Sequence, residues 1–398
     1  MKFVNDTIKK DFPMLNNEEK QFIYLDSSST SLKPKCVLDS INEFYTMYTS
    51  NAYRGDYINS EIVSLKIDEC RGLIATLLNC SENEVIFTSN CSDSINLLVH
   101  MLEIKKGNKV ICSILEHHSN LLPWLEVADV SVVSVDLNGI IELDELEKLL
   151  SSNKIKLVSI TAVSNVTGNI QPIKEICKLA HKYNALAVID CCQYLPHHEI
   201  NVVDIDCDFL AFSAHKMCGP SGLGVLYGKK EILTKCKKVK FGGGMVDKIV
   251  DFNNIRYKEI PYCFECGTLA IENIIGFGSA LRYLMTLGYD KITNHNKELN
   301  EYFYKKIQEC QNVKMLFPVS TNHVPIFTFG LTNEKLNIHY IAKILSDAYN
   351  ICVSAGYQCA QPLYRSINQN GGIRASLQFY NTKKDIDIFF EKINELNI

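Results

Sequence analysis

The stretch Ala211-Phe212-Ser213-Ala214-His215-Lys216, followed by Cys218-Gly219-Pro220-Ser221-Gly222-Leu223-Gly224-Val225-Leu226-Tyr227, decides the fold. An apolar run carries a Ser, a His and a Lys to its end, a Gly/Pro-rich turn follows, and a second apolar run returns. Such punctuation presents a lysine just beyond a buried strand. Upstream, Ala185-Leu186-Ala187-Val188-Ile189 reads as a buried parallel strand because it is an unbroken apolar run; it ends in Asp190, with Gln193 three residues on. Val85-Ile86-Phe87-Thr88, Lys109-Val110-Ile111-Cys112, Val130 to Val135 and Leu157 to Thr161 read as further strands, with helices such as Ser92 to Met101 and Ile173 to Tyr183 between them. This alternation predicts an α/β fold, a mainly parallel sheet covered by helices on both faces.

In open sheets of this class ligands collect beyond the C-terminal ends of the strands. The chemically capable residues fall there: Cys91-Ser92 after one strand, His117 after another, then Asn165, Asp190 and Lys216. A carboxylate at a strand end and a lysine 26 residues further on suit pyridoxal 5'-phosphate (PLP). The Lys would form the Schiff base, and the Asp would keep the pyridine nitrogen protonated so that the ring acts as an electron sink. Taken singly, each half has an ordinary explanation, since an Asp at a strand end is commonly a cap and a Lys commonly a solvated charge. Their order and setting favour the chemical reading. At Cys91-Ser92 a helix opens just after a strand, so its free N–H groups and dipole suit a phosphate, with Ser92 the expected N-cap.

Composition sets the limits. A chain of 398 residues exceeds one ordinary core, so a large and a smaller domain are expected. Hydrophobic content of 46%, with 22% charged residues, is that of a soluble globular protein, and a formal charge of −4 argues against nucleic acid or an anionic membrane as partner. No apolar segment reaches the roughly 20 residues that span a bilayer. The first residues, Met1 to Asp6, lack the pattern of a signal or transit peptide, so a cytoplasmic location is expected. Sixteen cysteines then imply reduced thiols rather than a disulfide framework. The Cys263-Phe264-Glu265-Cys266 motif has no second pair at zinc-ribbon spacing, and no metal is expected there.

Together with Glu116-His117-His118-Ser119-Asn120 and Val163-Ser164-Asn165-Val166-Thr167-Gly168, the lysine block resembles the class V aminotransferase-fold PLP enzymes, and more narrowly the Suf-type (group II) cysteine desulfurases. Phe264-Glu265-Cys266-Gly267-Thr268, Cys359-Ala360-Gln361-Pro362-Leu363 and Arg374-Ala375-Ser376-Leu377 extend the likeness, in the family's order, from about Asp11 to the C-terminus. The resemblance implies a fold-type I homodimer, with a large PLP domain over 24–293 and a smaller α+β domain over 294–398 joined by an arm over 1–23. It implies that His117 stacks on the pyridine ring and shares in proton transfer. Asn165 and Gln193 would bond the ring oxygen, and Ser213 and His215, with Cys91 and Ser92, would hold the phosphate. Thr268 would reach a phosphate in the partner subunit. Arg374 and Asn165 would bind L-cysteine, with Arg374 clamping its carboxylate, a planar guanidinium being suited to bidentate binding. Cys359, in a turn before a Pro, would be exposed, take the sulfur as a persulfide and release alanine, feeding a sulfur-acceptor protein of iron–sulfur cluster assembly. The polar, Gly-bearing stretch from Cys359 to Arg374 is expected to be a mobile loop.

Several positions depart from the family pattern. Cys91 stands where a threonine is usual, Tyr53 where a His is usual, and Ser354-Ala355-Gly356-Tyr357-Gln358 replaces the usual approach to Cys359. These leave open a selenocysteine lyase, another class V lyase or aminotransferase, or a scaffold of the same fold that has lost activity.

Overall fold

The computed structural model describes residues 5–17 and 20–396. Residues 1–4, 18–19 and 397–398 lie outside it, and with them most of the stretch read for a leader and parts of the expected terminal arm and C-terminal segment. Seven strands form the main sheet: β1 (Val85–Thr88), β2 (Lys109–Ser113), β3 (Asp129–Val133), β4 (Ile155–Thr161), β5 (Leu186–Asp190), β6 (Phe209–Ser213) and β7 (Gly224–Gly228), in the order β1-β7-β6-β5-β4-β2-β3. Only β7 runs against the others, pairing antiparallel with both β1 and β6. The central strands are mostly apolar because both faces are covered; β5 and β6 bury nearly every residue. Edge strand β3 is largely uncovered, with only Val133 buried.

Helices fit over this sheet by the usual periodicity. In Ile173–Lys182 the buried residues are Ile173, Ile176, Cys177 and Ala180, one stripe at intervals of three and four. A glycine is needed at the start of β7, where a Cβ on Gly224 would sit 2.4 Å from the carbonyl carbon of Asn90. That close pass sets the helix Cys91–Met101 against the strand that follows the lysine turn.

A second, antiparallel sheet of four strands has its own apolar core, in which the rings of Phe303 and Phe327 stack with centroids 4.2 Å apart. Arg374 lies in its strand Gly372–Ser376. Ile23–Tyr24 pairs in parallel with Ile351–Cys352, and Asp26 bridges Ser376, so the chain's start runs along this sheet toward Arg374. No helix among the described residues is long and apolar enough to cross a membrane.

One polar device inside the large core calls for an energetic account. Arg71 and Glu265 form a bidentate pair, both contacts 2.9 Å and both side chains buried, while Glu265 Oε1 also accepts the N–H of Phe87 at 2.8 Å. The pair ties the helix Ile58–Leu78 to β1 and to the segment leading to Thr268. Removing one member strands the other charge in a dry setting, which costs about 3–5 kcal/mol. Glu265→Ala is therefore expected to lower the denaturant midpoint sharply, by an amount measurable by circular dichroism, whereas a shift within error would show the pair to be energetically idle.

Candidate active site

Six strands point the same way, so their C-terminal ends share one edge of the sheet. At that edge lies a cavity of about 660 Å³, within the range of cofactor and small-ligand sites. Cys91 and Ser92 reach it from beyond β1, His117 from beyond β2 and Asn165 from beyond β4. Asp190 ends β5 beside Gln193, and Ser213, His215 and Lys216 follow from the end of β6. Ser354 and Arg374 of the second sheet, with Gln358 and Cys359 from the turn between its strands, complete the cavity. Thr268 is not brought there; it lies in a separate depression with Tyr53, Arg54 and Tyr262.

The anion end is built from a helix start. Its N-cap is Asn90, two residues before the expected Ser92: the helix begins at Cys91, and the Asn90 side chain accepts the N–H of Asp93 at 2.9 Å. Ser92 is thereby freed to bond the hydroxyl of Ser119 at 2.6 Å. Ser213 Oγ accepts the N–H of Cys91 at 2.8 Å, which holds the end of β6 against this helix.

Asp190 is 3% exposed, and its Oδ1 accepts the N–H of Cys192 at 2.9 Å. Among the described residues it forms no ion pair, and neither does Lys216. A buried carboxylate without a cation and a lysine without an anion, facing one cavity, are what a pyridinium and an aldehyde would satisfy. The donor set therefore fits PLP.

His117 caps the helix His118–Val127 by accepting the N–H of Ser119 at Nδ1, 3.1 Å away. Burial, with the Lys216 charge close by, pushes its pKa down to about 4, so the imidazole is neutral near pH 7. Behind it the buried Glu116 is pushed up to about 8 by burial, against the opposing hydrogen bonds from Ser113, Asn120 and the Thr161 N–H. Asn165 spends one amide N–H on the carbonyl of Gln358 at 2.7 Å, and Gln193 spends one on the carbonyl of Ser28 at 2.9 Å.

Arg374 is 3% exposed. One nitrogen of its guanidinium donates to the carbonyl of Asn165 at 3.0 Å, and the other reaches Ser29 Oγ at 2.7 Å and Asp26 at 3.1 Å. Its Nε has no partner, although it is buried. A buried donor left over on a charged fork suits an incoming carboxylate. Asp26 and Ser29, which orient this fork, went unnoticed in the sequence; the only signal was the polar run Asp26 to Ser31 after a short apolar strand.

Cys359 is exposed, as expected for a thiol that must change partners. The segment behind it is not a plain loop, however. Gln361–Ser366 is a short helix opened by a Pro in its first turn, with Leu363 and Tyr364 buried. Gln358 and Cys359 both take positive φ, 43° and 57°, and the Cys359 carbonyl accepts the N–H of His118 at 2.9 Å. The Tyr364 hydroxyl also bonds the Gln358 side chain. The thiol thus projects from a pinned backbone turn.

A lysine, a buried carboxylate and a helix-start anion cradle at the strand ends of a doubly covered α/β sheet define a PLP enzyme. The chain belongs to the class V aminotransferase family, whose sequence profile matches residues 23–389. It is 38% identical to a Halalkalibacterium halodurans protein named "Probable cysteine desulfurase", over 96% of this chain and 95% of that one. Among solved structures it is similar to the apo cysteine desulfurase of Thermococcus onnurineus, with a TM-score of 0.92 and 32% identity, covering 98% of this chain and 97% of the other. The Escherichia coli cysteine desulfurase CsdA in its S-sulfonic acid form is similar too, with a TM-score of 0.89, 27% identity and 98% coverage of both chains.

Proposed function

We propose that this protein is a PLP-dependent cysteine desulfurase of the Suf-type (group II) branch, which converts L-cysteine to L-alanine and passes the sulfur to Cys359. What carries the reading is the exposed Cys359 thiol on the same cavity as Lys216, Asp190 and the half-satisfied guanidinium of Arg374. When bound, PLP supplies an electron sink for charge developing at the substrate α-carbon. Lys216 holds the cofactor through Nζ and moves the α-proton. Asp190 keeps a proton on the pyridine nitrogen, while Cys91, Ser92, Ser213 and His215 hold the phosphate. His117, neutral at its ring, packs the cofactor and accepts or returns a proton, and Asn165 and Gln193 orient the ring oxygen. Arg374 binds the substrate carboxylate. Cys359 Sγ attacks the substrate sulfur: the carbon–sulfur bond breaks, a sulfur–sulfur bond forms, and one cysteine and one thiol become one alanine and one persulfide.

The persulfide is passed to an acceptor protein of iron–sulfur cluster assembly, in the cytoplasm. A homodimer is supported by the hairpin Val246–Asp251 and Asn254–Tyr257, whose Ile249, Val250, Phe252 and Ile255 are exposed, and by the position of Thr268 away from its own cavity. The chain is read as a large cofactor-bearing unit over 24–293 and a smaller unit over 294–398 with the 1–23 arm.

The direct test is to supply L-cysteine and a thiol reductant to the PLP-loaded protein and measure alanine and sulfide. Equal amounts of the two support the reading, and pyruvate in place of alanine would point to a lyase instead. Arg374→Ala should raise KM for cysteine with a smaller change in kcat. Losing a charge-assisted, two-point contact costs about 2–4 kcal/mol, or roughly two orders of magnitude in KM. An unchanged KM in steady-state kinetics would remove Arg374 from substrate binding.

A further inference from the structure

Cys91, Asp190 and Cys192 place two sulfurs and a carboxylate oxygen within 4.8 Å of one another, all three side chains buried. Cys91 comes from the helix start beyond β1 and Cys192 from the turn after β5, and both line the cavity. Desulfuration as described above uses neither sulfur, since Cys359 takes the substrate's.

Two thiolates and a carboxylate are a ligand set for a borderline or soft cation, with the cavity leaving a fourth position open. Sulfurs on a tetrahedral ion at about 2.3 Å stand roughly 3.8 Å apart, so the observed spread closes with small side-chain rotations. We propose that Cys91, Asp190 and Cys192 form a site for a thiophilic divalent cation, such as zinc or cadmium, and that this cation and the cofactor exclude each other. Binding releases the two thiol protons to water and leaves one negative charge, which the ammonium of Lys216, close to Cys91, offsets. Exclusion follows from Asp190, whose carboxylate cannot serve a metal and a pyridine nitrogen together. The exclusion rests on the cofactor role given to Asp190; the metal site itself does not.

The test uses the full chain with its two exposed thiols removed, Cys36→Ser/Cys359→Ser, loaded with PLP. Cadmium ion alone is titrated in, while cadmium–thiolate absorption and cofactor released into a filtrate are followed. The expected result is one cadmium bound per chain with one cofactor released, and no such binding after borohydride has fixed the cofactor to its lysine. Adding Cys192→Ala, or Cys192→Ser should the first fold poorly, is expected to weaken cadmium binding by at least about tenfold. Cadmium binding that is absent, or insensitive to the Cys192 change, overturns the site and leaves the cofactor assignments standing. Sensitive binding without cofactor release overturns the exclusion, and with it the pairing of Asp190 with the pyridine.

Discussion

Replacing Cys359 with Ser is expected to stop sulfur transfer while leaving the cofactor bound. The thiol lies on the cavity, but it is distant in role from the groups that hold PLP, and its backbone is fixed by the His118 N–H independently of the side chain. Serine keeps the size and the turn and loses the nucleophile, because a hydroxyl at its ordinary pKa does not attack a thiol sulfur. Turnover to alanine should fall by several orders of magnitude, and mass spectrometry after cysteine treatment should find no added sulfur at position 359. The cofactor band should still shift when cysteine is added, since carboxylate and amine binding are untouched. Persulfide found on Cys91 or Cys192 instead, at the native rate, would overturn the mechanism. The same variant separates two chemistries on this fold: selenocysteine cleavage that survives the loss of Cys359 would indicate that selenide leaves without a protein nucleophile.

Lys216→Ala is the other change with a very large effect. Lys216 sits at the end of a one-turn helix after β6, facing Asp190 across the cavity. Without its amine the protein should lose the absorption of lysine-bound cofactor and its borohydride-stable adduct, even though the groups proposed to hold the phosphate are unchanged. Loss of proton transfer alone removes about 10²–10⁴ in rate, and loss of the covalent linkage adds to that. A borohydride-stable lysine adduct in the variant would mean that another lysine holds the cofactor, and Lys33, which burial depresses to about 8, would be the first to examine.

The sequence was most legible where burial is two-sided. β1 was bounded to the residue, and β2, β4 and β5 within two residues, because a strand covered on both faces must be an apolar run. Edge strand β3 was read two residues too long at its C-terminal end, because a largely uncovered edge imposes no sharp apolar limit. The Ser92 cap was misplaced because Asn and Ser are nearly equal caps, and only the close pass of Gly224 against Asn90 fixes which one turns the chain. The helix Gln361–Ser366 was hidden by its polar neighbours; its anchor is Tyr364, and what Tyr364 packs against comes from elsewhere, Phe317 among it. Asp26 and Ser29 were invisible for a similar reason. They meet Arg374 across 348 and 345 residues of chain, and no local pattern encodes such a meeting.

The hydrogen bond from the Cys91 N–H to Ser213 spans 122 residues, and Asp26 lies 348 residues before its arginine. On the ribosome this separation orders events. A nascent chain that has emerged just past Lys216 has its lysine and its carboxylate, yet β7, which locks the anion cradle beside them, has still to pair, and Arg374 lies 158 residues further along the chain (374 − 216). The groups that would hold PLP are therefore all present once Gly224–Gly228 has paired, whereas the substrate site, which needs Arg374, is completed only when the chain is nearly finished.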